Sequence, residues 1–226
     1  MLRWSLRHTL IASVLLALLL AATALQRMVS THHPLQLQQA LLLTKPVPLD
    51  DFLLVDQYQQ PVTVADLQGQ WHLLSYGFTY CPDICPMTLA KLSRFHLQLQ
   101  QADAYPDVQL LFYSVDPERD TPEVLHDYLN FFATDIRGLT RMPNDDASHQ
   151  PFEQSLSILY AISPVDDISS YLPYNVDHGV LLYLLNPKAE LQAIFTPIEQ
   201  PGTIPDFDTE ALYQDYLAIR RYLDPS

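Results

Sequence analysis

The feature that most constrains this chain is a junction. A short apolar run, Trp71-His72-Leu73-Leu74-Ser75-Tyr76, passes through Gly77-Phe78-Thr79-Tyr80 and delivers the chain to Cys81-Pro82-Asp83-Ile84-Cys85-Pro86. The run is apolar and short enough for a buried strand. From Met87 to about Leu99, the apolar residues Leu89, Leu92, Phe95, Leu97 and Leu99 stand among polar ones at roughly helical spacing. The order is strand, cysteine turn, helix.

The rest of the sequence repeats that alternation. Phe52–Val55 and Val62–Val64 read as short strands around the polar stretch Asp56–Gln60. Val108–Val115 reads as a strand and Thr121–Phe132 as a helix, with Asp120 or Thr121 as its cap and Pro122 in its first turn. Phe152–Tyr160 reads as helical. Val180–Leu185 is a buried strand that pairs with Leu191–Phe195 through a turn at Asn186-Pro187, and Thr209–Tyr222 is the closing helix. Such an order predicts a three-layer α/β domain, with helices on both faces of a central sheet. Pro46-Val47-Pro48 marks its start, so the domain is expected over residues 46–226.

The N-terminus has a different character. Arg3 and Arg7 precede eighteen residues, Thr9–Gln26, without a charge and rich in Leu and Ala. As a helix this segment would rise about 27 Å, near the ~30 Å hydrocarbon thickness of a bilayer, which favours a signal anchor over a cleaved signal peptide. Ala22-Thr23-Ala24 leaves cleavage open. Either way the remainder is expected to be exported; as an anchor the segment makes the protein single-pass at a bacterial-type inner membrane, with the folded domain on the periplasmic side. Residues 27–45 read as a tether; its His32-His33 pair is treated as solvated. With 12 Lys plus Arg against 26 Asp plus Glu, the formal charge is −14, and an acidic chain of this kind opposes nucleic-acid binding.

Only two cysteines occur, Cys81 and Cys85. If the helix begins at or near Cys81, two residues four apart lie on one face, and their thiols can converge on a metal or close on each other. A purely structural disulfide is the weaker reading, because so small a loop constrains little. Thioredoxin-type redox motifs have two intervening residues; here there are three. Two thiolates suit Cu(I), and an added imidazole suits Cu(II). His8 lies in the targeting segment, His72 in a strand, His96 and His126 in helices and His149 in a polar loop. His178 differs, because it stands in a loop immediately before a buried strand.

At this point the sequence resembles the Sco/SenC family of copper chaperones. The resemblance rests on Tyr76-Gly77-Phe78-Thr79-Tyr80-Cys81-Pro82-Asp83-Ile84-Cys85-Pro86, on Ser114-Val115-Asp116-Pro117-Glu118-Arg119-Asp120-Thr121-Pro122, and on Val176-Asp177-His178 before an apolar strand. It implies a thioredoxin-like fold with a central mixed sheet, and one copper per chain, Cu(I) or Cu(II), held by Cys81, Cys85 and His178. It also implies a role in building the dinuclear copper centre of cytochrome c oxidase. The implied partner is the copper-bearing subunit of that oxidase or another exported cuproprotein. Gly179 departs from the pattern, since a small hydroxyl residue is common there.

Two further readings compete. In a thiol-disulfide oxidoreductase, Cys81 attacks and Cys85 resolves, which needs no histidine; a thiol peroxidase needs one low-pKa cysteine that reacts with peroxide. Asp83, Asp116, Arg119 and Asp120 are explained by turns and a helix cap and are left outside the candidate site.

Overall fold

In the computed structural model, residues 8, 10–21, 35–144, 147–164, 174–199 and 202–224 are described. The strands in chain order are β1 (Ala40–Pro48), β2 (Leu54–Asp56), β3 (Pro61–Val62), β4 (Trp71–Gly77), β5 (Val108–Ser114), β6 (Ile136–Arg141), β7 (Tyr160–Pro164), β8 (Tyr174–His178), β9 (Leu182–Leu185) and β10 (Glu190–Phe195). The helices named here are α1 (Ile84–Ala102), α2 (Pro122–Leu129), α3 (Gln150–Leu156) and α4 (Thr209–Leu223). Eight strands form one sheet in the order β1-β10-β9-β4-β5-β6-β2-β3, and β7 pairs with β8 separately.

The apolar run at Trp71 becomes a strand near the centre of this sheet, and every residue of β4 is buried. It pairs in parallel with β5 and antiparallel with β9, so the sheet is mixed. Side chains alternate between faces along each strand. On one face, Tyr113 meets Phe152 of α3 at 5.0 Å between ring centroids. On the other, Phe112 meets Tyr128 of α2, while α1 joins α4 through an edge-to-face contact of Phe95 with Tyr216. Helices thus cover both faces, as the alternation predicts.

Three differences from the sequence reading have physical causes. First, the compact unit begins at Leu37, not Pro46, and residues 40–45, read as tether, belong to β1. The Asp215 carboxylate accepts the backbone N–H groups of Gln38, Gln39 and Ala40 and fixes the strand's entry. Because β1 is an edge strand, Pro46 and Pro48 do not interrupt a ladder on both sides. Second, β6 carries Arg137, Gly138 and Arg141, a poor strand pattern. Its arginines pair with Asp56 and Glu153, and a Cβ at Gly138 would lie 2.6 Å from Leu129 of α2. Third, Tyr160 and residues 174–178, expected as a helix end and a loop, form the β7–β8 pair.

Met1–Gln36 forms a separate unit in the division of the chain. Its residues 10–21 are helical. Among the described residues no helix is long and apolar enough to cross a membrane, so the spanning helix expected over Thr9–Gln26 is not supported by the structure. Arg3, Arg7, Ala22-Thr23-Ala24 and His32-His33 lie outside the described residues.

Candidate metal centre

The C-terminal end of β4 builds the sulfur half of the site. After Gly77 the chain turns, with the Cys81 N–H donating to the Phe78 carbonyl at 3.2 Å. Helix α1 starts at Ile84, with Asp83 as its N-cap residue. Cys81 therefore lies before the helix, not on it, and Cys85 in its first turn. The thiols converge because the turn folds back: the Cys85 N–H donates to Cys81 Sγ at 3.4 Å. Both cysteines are buried and unbridged.

Gly77 makes this approach feasible. A Cβ there would lie 2.5 Å from Cys85 Sγ and 3.5 Å from His178 Cε1, so a side chain would occupy the place of the sulfur. The glycine's use here is space, not an unusual backbone angle.

His178 closes the site from β8. Its Nε2 is 3.6 Å from Cys85 Sγ, and its Nδ1 lies 2.7 Å from the Gly179 carbonyl oxygen. A carbonyl only accepts, so Nδ1 carries the proton and Nε2 keeps its lone pair toward the sulfurs. The ligand atoms of Cys81, Cys85 and His178 all lie within 4.8 Å of one another, and among the described residues this is the group of three such side chains that can hold a metal ion. The three residues proposed from sequence come together; His72, His96, His126 and His149 do not join them.

The two thiols share one proton unequally. A hydrogen bond from Cys85, with smaller help from backbone N–H groups, pulls Cys81 down to about 4 against the cost of burial. Cys85 is pushed up, first because it donates to Cys81 and then by burial. The pair is thus poised as one thiolate and one thiol, and a soft cation that replaces the shared proton gains two sulfur ligands and an imidazole. That donor set fits copper.

Residues that the sequence alone does not assign to the site hold the two halves together. Asp120 is fully buried and accepts from the Thr79 N–H at 2.9 Å, the Thr79 hydroxyl at 2.6 Å and the Ser114 hydroxyl at 2.6 Å. It ties the cysteine loop to the end of β5, while Thr121 is the residue that caps α2. Burial raises the Asp120 pKa in spite of these donors. Asp116, also fully buried, accepts from Arg119 and from the Tyr174 hydroxyl at 2.5 Å. The Arg119 guanidinium lies 4.1 Å from the Tyr174 ring centroid, 5.2 Å from Tyr80 and 5.6 Å from Phe78. One arginine therefore clamps the loop that carries the cysteines against the strand that carries His178. The signal in the sequence was the run of charges in Asp116-Pro117-Glu118-Arg119-Asp120, which a cap explained too readily. Gly179 leaves no room for a side chain, since a Cβ would lie 2.6 Å from the Tyr76 hydroxyl.

A family model described as SCO1/SenC matches residues 44–209. The human mitochondrial protein SCO2 homolog is 40% identical over 139 residues, which covers 61% of this chain and 49% of that protein. The chain thus spans about half the length of that curated relative. A putative copper-binding protein of Stutzerimonas stutzeri is 34% identical over 189 residues, covering 83% of this chain and 89% of that one. Among solved structures, Arabidopsis thaliana ScoI with copper bound is similar at 29% identity and a TM-score of 0.62, over 76% of this chain and 98% of that one. The mixed sheet and its helices match that thioredoxin-like fold.

Proposed function

We propose, from the fact that this chain belongs to the SCO1/SenC family, that it carries one copper ion as cargo between Cys81, Cys85 and His178 and serves the assembly of the dinuclear copper centre of cytochrome c oxidase. The observation that carries this reading is the convergence of two sulfurs and one imidazole nitrogen within 4.8 Å. Bound copper would supply a transferable ion that cycles between Cu(I) and Cu(II). Cys81 offers a ready thiolate, Cys85 surrenders its proton on loading, and His178 presents Nε2 because the Gly179 carbonyl holds Nδ1–H. The recipient in this reading is the copper-bearing oxidase subunit or another exported cuproprotein. The folded unit would stand on the periplasmic side of a bacterial-type inner membrane. The uncharged stretch Thr9–Gln26 after Arg3 and Arg7 supports that placement.

A second reading rests on the same shared proton. Cys81, as thiolate, attacks a disulfide of the recipient; the mixed disulfide is then resolved by Cys85, which leaves a Cys81–Cys85 bridge and a reduced recipient. Copper titration separates the two. Reduced protein should bind one equivalent of copper, and the bridged form should bind none until it is reduced, since the bridge consumes both sulfur ligands. Equal uptake by both forms would remove the thiolates from the site.

A further inference from the structure

We infer that Tyr76 is a positioning residue for His178: its hydroxyl and the bare Cα of Gly179 form a complementary pair that fixes the turn after the histidine and, through it, the imidazole tautomer. The consequences for copper rest on the function proposed above; those for the tautomer do not.

Tyr76 is in β4 and is buried. Its ring stacks on Tyr183 of β9, with centroids 5.8 Å apart and planes 21° apart, and lies 5.7 Å from the His178 ring. A ring held in this way cannot swing aside cheaply. A Cβ placed on Gly179 would meet the Tyr76 hydroxyl oxygen at 2.6 Å, but the next nearest atom, Cζ of the same ring, at 3.8 Å. Only the hydroxyl excludes a side chain; the ring itself would be in ordinary contact. Gly179 is the residue whose carbonyl accepts the His178 Nδ1–H at 2.7 Å. The hydroxyl thus abuts the residue whose carbonyl decides which ring nitrogen faces the sulfurs. Hydrogen-bond partners of this kind orient metal-binding histidines.

The two substitutions should suppress each other. Gly179→Ala adds a methyl that collides with the hydroxyl, and Tyr76→Phe leaves a gap beside Gly179; together, the methyl fills the gap. The test uses the wild-type protein, both single variants and the double variant. It reads the His178 ring nitrogens by 15N NMR in reduced, copper-free protein, and Cu(II) affinity by titration. The wild type should show a single tautomer protonated at Nδ1. Gly179→Ala should mix the tautomers and weaken Cu(II) binding by about tenfold or more. Tyr76→Phe should do the same to a smaller extent, and the double variant should return to within about threefold of wild type. Should Gly179→Ala fail to fold, Tyr76→Phe and the double variant, which lack the collision, still give the comparison. A double variant no better than the worse single variant, or single variants identical to wild type, would overturn the inference. Wild-type protein that takes no copper would end the proposed function but leave the tautomer comparison intact.

Discussion

Cys81 and Cys85 lie where a wholly buried strand passes into a helix of 19 residues. His178 ends a strand of five residues in which only Val176 is buried, paired with another strand of five that has no buried residue. The sulfur half of the site is a product of the core: β4 aims the loop, α1 orients Cys85, and Gly77 clears its space. The histidine half is fastened on by a polar clamp of Asp116, Arg119 and Tyr174. Perturbing the core should therefore harm both copper states, whereas perturbing the clamp should harm the state that depends on the imidazole.

The largest effect is expected from Gly77→Ala, which places a methyl on the Cys85 sulfur. Cu(I) and Cu(II) affinity should both fall, by about a hundredfold, with a stability loss of about 1–3 kcal/mol from overpacking. Paired copper titrations and a denaturant melt check this. A variant that loses only Cu(II) would erase the distinction between the halves.

Arg119→Ala should act on one half. It strips a buried carboxylate, Asp116, of its cation, which for a buried pair costs about 3 kcal/mol or more, and it frees the Tyr174 end of β8. Backbone hydrogen exchange should accelerate at Asn175–Asp177, with Cu(II) binding weakened about tenfold and Cu(I) binding changed by less than about threefold. Equal losses of both ions would mean that the clamp serves the cysteine loop as much as the hairpin.

The smallest effect at the site should come from acid acting on the far end of β4. His72 is buried, bonds through Nε2 to the Leu67 carbonyl, and is held neutral by burial, with its pKa lowered to about 4. The unfolded chain takes up that proton near pH 6.5, so the unfolded state binds more protons between about 6.5 and 4 and stability falls as pH drops through that window. The loss should total about 3 kcal/mol at most and should vanish from the difference curve of His72→Leu. Unchanged pH dependence in that variant would contradict this role for His72; Asp120, whose pKa burial raises, has the opposite sign and cannot supply the loss.

The sequence showed the sulfur half far more openly than the histidine half. A strand that ends in Gly77 and a helix with apolar residues at Leu89, Leu92 and Phe95 announce themselves through period, and the cysteine spacing with the family resemblance points to all three ligands. What stayed hidden depends on partners distant in sequence. Strand β8 contains Asn175 and Asp177 and is a strand only because β7 pairs with it and Arg119 grips its first residue. Strand β6 hides its role behind two arginines that find Asp56 and Glu153. No local pattern can show that Gly77 is bare for the sake of a sulfur eight residues later, or Gly179 for the sake of Tyr76.

The central claim, a three-ligand copper site whose histidine is separable from its thiolates, is tested most directly by titrating His178→Ala with each copper state. Two thiolates suffice for Cu(I), so its binding should survive within about an order of magnitude. Cu(II) should bind far more weakly, and the sulfur-to-copper charge-transfer absorption should fade or shift, while the thiols still form and break their bridge. Oxidase assembly supported by this variant should fail. An unchanged Cu(II) spectrum with full support of oxidase assembly would contradict the account and leave the thiol-disulfide reading in its place.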